Sequence, residues 1–189
     1  MKTATAKRTD ERALLRAAQA GDKAAFGHLV RRYHRLVAGV AYRMSGDAAL
    51  ADDVAQDAFL RAWQRLDDLR PERDGALRAW LCRIAHNRTV DALRRRPAEP
   101  LDEHRPDPSP PVQAHAERAE VRDAVQAALL RLPPHHRAVI VLREFEGLGY
   151  AEIADVLAIP VGTVMSRLHH ARRRLADELA PFMDKELAR

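Results

Sequence analysis

The chain has 189 residues, with 32 Lys and Arg against 27 Asp and Glu, a net charge of +5 and a pI of about 9.9. It is 47% hydrophobic, 31% charged and only 5% aromatic, which excludes a mainly disordered chain and argues against a large sandwich or barrel core. Thin, Ala-rich helix-on-helix packing is what remains, so the composition predicts an all-α protein.

The first predicted helix spans residues 10 to 19, with Asp10 as N-cap. The second spans 22 to 44, where Phe26, Leu29, Val30, Tyr33, Leu36, Val37, Val40 and Ala41 recur at helical spacing until Ser45-Gly46-Asp47 stops the run. In the third, Leu50 to Leu66, the apolar face is Val54, Ala55, Ala58, Phe59, Ala62 and Leu66. A second stripe of Asp53, Gln56, Leu60 and Gln64 leaves a leucine exposed among polar residues. After a turn-rich loop from Asp67 to Gly75, a fourth helix over 76 to 96 buries Leu77, Trp80, Leu81, Ile84 and Ala85. Its neighbouring stripe is Arg83, Asn87, Val90 and Arg94.

Residues 97 to 116 hold six of the eleven prolines. Each removes a backbone donor and fixes φ, so no continuous helix crosses them. This Pro-rich linker divides the chain into two small helical domains, 1–96 and 117–189. At no more than about 65 Å extended, it lets the two grip separate sites on one partner. In the second domain, helices are predicted over 117 to 131, 135 to 146, 150 to 157 and 161 to 179. The last two form a helix-turn-helix unit: Ala154 is the small residue at the crossing, and Ile153, Leu157 and Ile159 flank the turn. Val164, Leu168, Ala171 and Leu175 are the buried stripe of the second helix. Its outer face shows Ser166, His169, His170 and Arg173, flanked by Thr163 and Arg167, with four arginines and no acid between 161 and 175. Such a face suits the DNA major groove.

Charge is sorted along the chain. Residues 47 to 57 carry Asp47, Asp52, Asp53 and Asp57 and no base, while 78 to 96 carry six arginines against Asp91 alone. Opposite fields on one small domain point to two partners, although either run also serves as a solvated face, and Asp52-Asp53 also suits helix-dipole compensation. Cys82, alone, excludes an intramolecular disulfide and a thiolate-cluster zinc site and reads as a free thiol. No stretch has the length of a signal peptide core or a membrane span, so a cytoplasmic protein is expected. His86 reads as a surface histidine with no second ligand at metal spacing, and no metal or cofactor is expected.

The stretches AQDAFLRAW (55–63), RAWLCRIAHNRTVDALRR (78–95) and LREFEGLGYAEIADVLAIPVGTVMSRLHHARRRL (142–175) together resemble the bacterial extracytoplasmic-function (ECF) sigma factors of the sigma-70 superfamily. The resemblance covers nearly everything except the termini and linker. It implies that the first domain is region 2 and the second region 4, and that the chain is an alternative sigma factor directing promoter-specific initiation. By position, Asp53, Gln56, Asp57 and Leu60 would dock on the clamp helices of the largest subunit of core RNA polymerase. Arg83, Asn87 and Arg94, with the loop Asp67 to Gly75, would hold the opened minus-10 element and its flipped base. Trp80 shares its stripe with Leu77, Leu81 and Ile84 and is assigned to the core rather than to base stacking. Thr163, Ser166, Arg167, His169, His170 and Arg173 would contact promoter DNA at the minus-35 element.

Two residues depart from the family pattern. Ala158 stands where glycine is usual, at a position expected near positive φ, where a Cβ costs about 1 to 2 kcal/mol. Met165 stands where Lys or Arg is frequent, which removes one expected phosphate contact. The resemblance also implies control by a separate anti-sigma factor, because the 14 residues after Leu175 are too few for a fused regulatory domain.

Rival classes fare worse. There is no glycine-rich phosphate loop followed by Lys-Ser/Thr, no HExxH and no GxSxG, so an enzyme with a small-molecule substrate is not indicated. A plain DNA-binding regulator needs neither the stripe around Gln56 nor the one around Asn87. A sigma mimic that only sequesters an inhibitor needs no arginines on two DNA-facing stripes.

Overall fold

The computed structural model describes residues 2–69, 75–95 and 113–187, which are helical throughout apart from short connections and contain no strand. Eight α-helices follow in order: α1 (Lys2–Gln19), α2 (Lys23–Ser45), α3 (Ala48–Gln64), α4 (Ala76–Arg95), α5 (Gln113–Arg131), α6 (Pro134–Ile140), α7 (Tyr150–Leu157) and α8 (Val161–Leu187). A 3-10 turn covers Leu66–Asp68, and a π-turn, Val141–Phe145, prolongs α6.

Local chemistry sets the boundaries. The Asp22 carboxylate accepts from the N–H groups of Ala24 and Ala25 and starts α2; Asp47 accepts from Leu50 N–H and starts α3. Gly46, at φ 76°, ends α2 by donating its N–H to Tyr42 O. Glycine is required there twice over, because a Cβ would also lie 2.6 Å from the Leu130 side chain. Three predicted boundaries are corrected. Asp10 is not an N-cap, since α1 runs uninterrupted from Lys2 with no breaker in its path, and Asp10 instead lies 3.8 Å from Arg32. The stretch 113 to 116, read as linker, is the first turn of α5, because the prolines end at Pro111; residues 97 to 112 lie outside the described residues. The last helix continues past 179 through Pro181, in an exposed section where losing one N–H is least costly.

α2 is the central element. It packs against α1, α3 and α4, and on its remaining side against α5, α6 and the π-turn, while α4 meets α7. One apolar cluster therefore runs from Leu29, Val37, Leu81 and Ala85 through to Leu129, Val139, Ile153 and Leu168. The two halves do not merely share a tether but pack on each other. Arg137, 9% exposed, sends its guanidinium into this seam, and Gln126 Nε2 donates to Tyr42 O at 3.1 Å. Glu146, 5% exposed, lies 3.6 Å from Arg43 and 3.8 Å from Arg78 across the same seam. The Arg43 guanidinium also sits 4.4 Å from the Phe145 ring centre.

Candidate polymerase and nucleic-acid interfaces

The outer surface of α3 carries the first candidate face. Val54, Ala55, Ala58, Phe59 and Ala62 are buried against α2 and α4, which fixes the helix rotation and turns Asp53, Gln56 and Leu60 to solvent. Leu60 is 65% exposed. Asp57 differs from its neighbours. It is half-buried, and its carboxylate accepts from Arg61 Nε at 3.2 Å and, in a short contact, from Arg88 Nε on α4. It therefore ties α3 to α4, and Arg88 is held from its other side by Asp91 at 3.3 Å. Asp52 and Asp53 lie beyond the first turn of α3, whose N-cap is Asp47, so helix-dipole compensation falls to Asp47.

The second face lies on α4. Leu77, Leu81, Cys82, Ala85 and Thr89 are buried, Trp80 and Ile84 pack partly buried against the same cluster, and the Thr89 hydroxyl donates to Ala85 O at 2.8 Å. Trp80, assigned to the core, packs against that cluster but is only half-buried. Arg83, Asn87 and Arg94 are all exposed on one side of the helix. Of the loop assigned to the same face, Asp67 and Asp68 are exposed in the 3-10 turn, Leu69 is buried, and Arg70 to Asp74 lie outside the described residues. His86 is not the surface histidine expected. It is half-buried, its Nδ1 is shielded without a hydrogen-bond partner, and burial pushes its pKa down. Cys82 is free and fully buried, and burial above all pushes its thiol pKa up to about 12.

The third face is the helix-turn-helix of α7 and α8. Ile153, Ala154 and Val156 of α7 pack on Val164, Leu168 and Ala171 of α8, all buried. Gly149 N–H donates to Glu152 Oε2 at 2.7 Å to start α7, and Ala158 closes it at φ 52°, ψ 49°, in the left-handed region. The turn therefore keeps the geometry that favours glycine and carries the Cβ strain. Pro160 O accepts from the N–H groups of Thr163 and Val164 and starts α8. Ser166, His169, His170 and Arg173 are exposed, with Thr163 and Arg167 half-buried at the flank. Arg172 is turned away, bound to Glu144 at 2.7 Å.

Sequence reasoning missed His136 on α6. Its ring stacks with His170 at 6.3 Å, and His169 and His170 lie 5.4 Å apart. Burial, then His135, His170, Arg174 and Arg167, push the His136 pKa down. The doubled histidines at 135–136 and 169–170 were the available signal, but nothing in their spacing says that α6 and α8 meet. Among the described residues no group of three or more His, Cys, Asp or Glu side chains could hold a metal.

The structure thus joins a helical unit with an acidic-polar and an arginine-rich face to a second unit that holds a helix-turn-helix. Residues 29–98 match the Sigma-70 region 2 family and residues 122–175 the Sigma-70 region 4 family. The chain is 35% identical over 188 residues to the ECF RNA polymerase sigma-E factor of Escherichia coli, covering 92% of this chain and 96% of that protein. The structure of CnrH in complex with the cytosolic domain of CnrY is similar with a TM-score of 0.69 and 34% identity, over 91% of this chain and 98% of that one. The sigma factor RpoE of Bartonella quintana, solved with the anti-sigma factor NepR, has the same fold, with a TM-score of 0.65 and 23% identity over 82% of this chain and 96% of that one. The chain belongs to the ECF sigma factors of the sigma-70 family, and it is accordingly a transcription initiation factor and not an enzyme.

Proposed function

We propose that the chain binds core RNA polymerase through the α3 face, with Leu60 as the apolar centre and Asp53, Gln56 and Asp57 around it, seated on the clamp helices of the largest subunit. An exposed apolar side chain ringed by polar groups has the layout of an anchor that seats in a partner's pocket while its rim excludes water. Arg83, Asn87 and Arg94 on α4 then hold the opened minus-10 strand. Unpairing and flipping a base costs a few kcal/mol, so contacts made only with the open form drive melting. Thr163, Ser166, Arg167, His169, His170 and Arg173 contact the minus-35 element: exposed arginines neutralise phosphates and the short side chains allow close approach to base edges. The observation that carries the reading is that three faces of different chemistry are all open to solvent on one framework, each rotated outward by a buried stripe on its opposite side.

The same faces suit occlusion by a separate anti-sigma factor, the partner with which RpoE of the same fold was solved. Among the described residues no helix is long and apolar enough to cross a membrane. The proposed site of action is the cytoplasm, at the nucleoid when active and at the membrane only when an anchored inhibitor holds it there. The test is run-off transcription from a cognate promoter with core polymerase and this chain alone. A specific transcript is expected, and failure of the inhibitor-free chain to co-migrate with core polymerase would overturn the reading.

A further inference from the structure

The first two turns of α8 expose two apolar side chains next to each other, Val161 at 42% and Met165 at 54%. They stand four residues apart and so share one edge of the helix. Neither can turn inward, because Val164, Leu168 and Ala171 already occupy the buried side and fix the rotation of α8. Arg172, two turns beyond Met165 on the same edge, does not fold back over it, being held by Glu144. Between them and on the outer side are Gly162, whose Cβ position has open space around it, and the exposed Ser166. No acidic residue occurs from Val161 to Ala176, so nothing on this stretch repels a polyanion.

We propose that Val161 and Met165 form an apolar reading edge that packs against thymine C5-methyl groups in the major groove of the upstream promoter element. The inference rests on the reading that α8 enters that groove, and it names what this end of the helix recognises there. The early turns of a recognition helix are the part that reaches base edges. An apolar side chain offers nothing to a phosphate or to a hydrogen-bonding edge, and the thymine methyl is the one apolar group a base pair presents in the major groove. Ser166 and His169 beside it supply the polar part of the readout, so the pair adds a preference for T at one or two positions and not affinity for DNA in general.

The test uses the full chain. Its preferred upstream duplex is first selected from random sequences, and each thymine is then replaced singly by deoxyuridine, which removes only the methyl group. One or two replacements are expected to weaken binding about fourfold each, the effect of un-burying one carbon. Met165→Gln, at an exposed site, is expected to lose a similar factor on the native duplex, to become indifferent to deoxyuridine at that position, and to keep the wild-type salt dependence. A selected element without thymine, wild-type indifference to every replacement, or a Met165→Gln protein with wild-type sensitivity would each overturn the inference while leaving α8 as the DNA-reading helix. Failure to prefer any duplex would overturn the inference together with the reading on which it rests.

Discussion

Arg137 on α6 donates to the main-chain oxygen of Met44 at the end of α2, 93 residues away in sequence. The same guanidinium donates to Leu129 O at 2.9 Å, Leu130 O at 2.6 Å and Leu132 O at 3.0 Å. Acceptors left over at the ends of α2 and α5 thus converge on one planar, five-donor cation, a geometry that lysine cannot reproduce.

Arg137→Ala is expected to destabilise the protein by about 3 kcal/mol, because four carbonyls, three of them in buried bonds, lose their donor together. Arg137→Lys should recover only a minor part of that. Urea unfolding of the three proteins measures both, and a lysine variant as stable as wild type would contradict the fork geometry.

Burial sets the Glu146 carboxyl apart from a surface carboxylate. Burial raises its pKa, and Arg43 and Arg78 pull it back only in part. The folded state therefore keeps this proton to a higher pH than the unfolded chain, so the group favours folding at low pH, and that contribution is lost as pH rises from the ordinary value near 4.5 to the raised one. Glu146→Gln should remove this component, leaving a variant whose stability, relative to wild type, rises with pH across that window. Denaturant titrations at a series of pH values check the slope.

Ala158→Gly should raise stability by about 0.5 to 1 kcal/mol, the left-handed strain of a Cβ at φ 52° less the extra chain entropy of glycine. Thermal unfolding reads this as a higher Tm, with no change expected in DNA affinity because the turn conformation already exists.

Leu60→Ala should weaken core polymerase binding at least tenfold and shift the unfolding midpoint little, since the side chain is largely exposed. Asp57→Ala should lose stability as well as affinity, because Arg88 then keeps only Asp91. A polymerase titration beside a melting curve separates the two residues.

Arg173→Ala, at an exposed position on α8, should weaken binding to all duplexes alike and lower the salt slope by about one ion if it neutralises a phosphate. Arg167→Ala should cost about 1 to 3 kcal/mol and relax preference at one upstream position if it meets a base edge. Uniform weakening by the second variant would make Arg167 a phosphate contact instead.

Helix existence was legible where one buried stripe recurs at a 3.6-residue period, as in α2, α3 and α8, whereas α6 buries Arg137 to Ile140 in succession. Asp22, Gly46, Asp47, Gly149 and Pro160 mark starts and stops by chemistry that acts within a few residues. Leu60 could be singled out because a leucine between Gln56 and Gln64 breaks the polar pattern of its own stripe. What stayed hidden depends on distant partners. Asp57 reads like Asp53 until α4 brings Arg88 against it, and Glu146 reads only as the last residue of a predicted helix until Arg43 and Arg78 arrive from the other half. His86 looks polar enough for the surface, yet its Nδ1 is shielded where the fold places it. No local spacing encodes the meeting of Arg137 with Met44.

Cys82 gives the molecule a silent clock. Being the chain's sole thiol, sealed in the interior and held protonated far above neutral pH, it is inert to alkylating reagents for as long as α4 stays seated. Each labelled molecule records one excursion in which that helix lifted away, so the speed of modification counts openings of the region 2 core without any engineered probe.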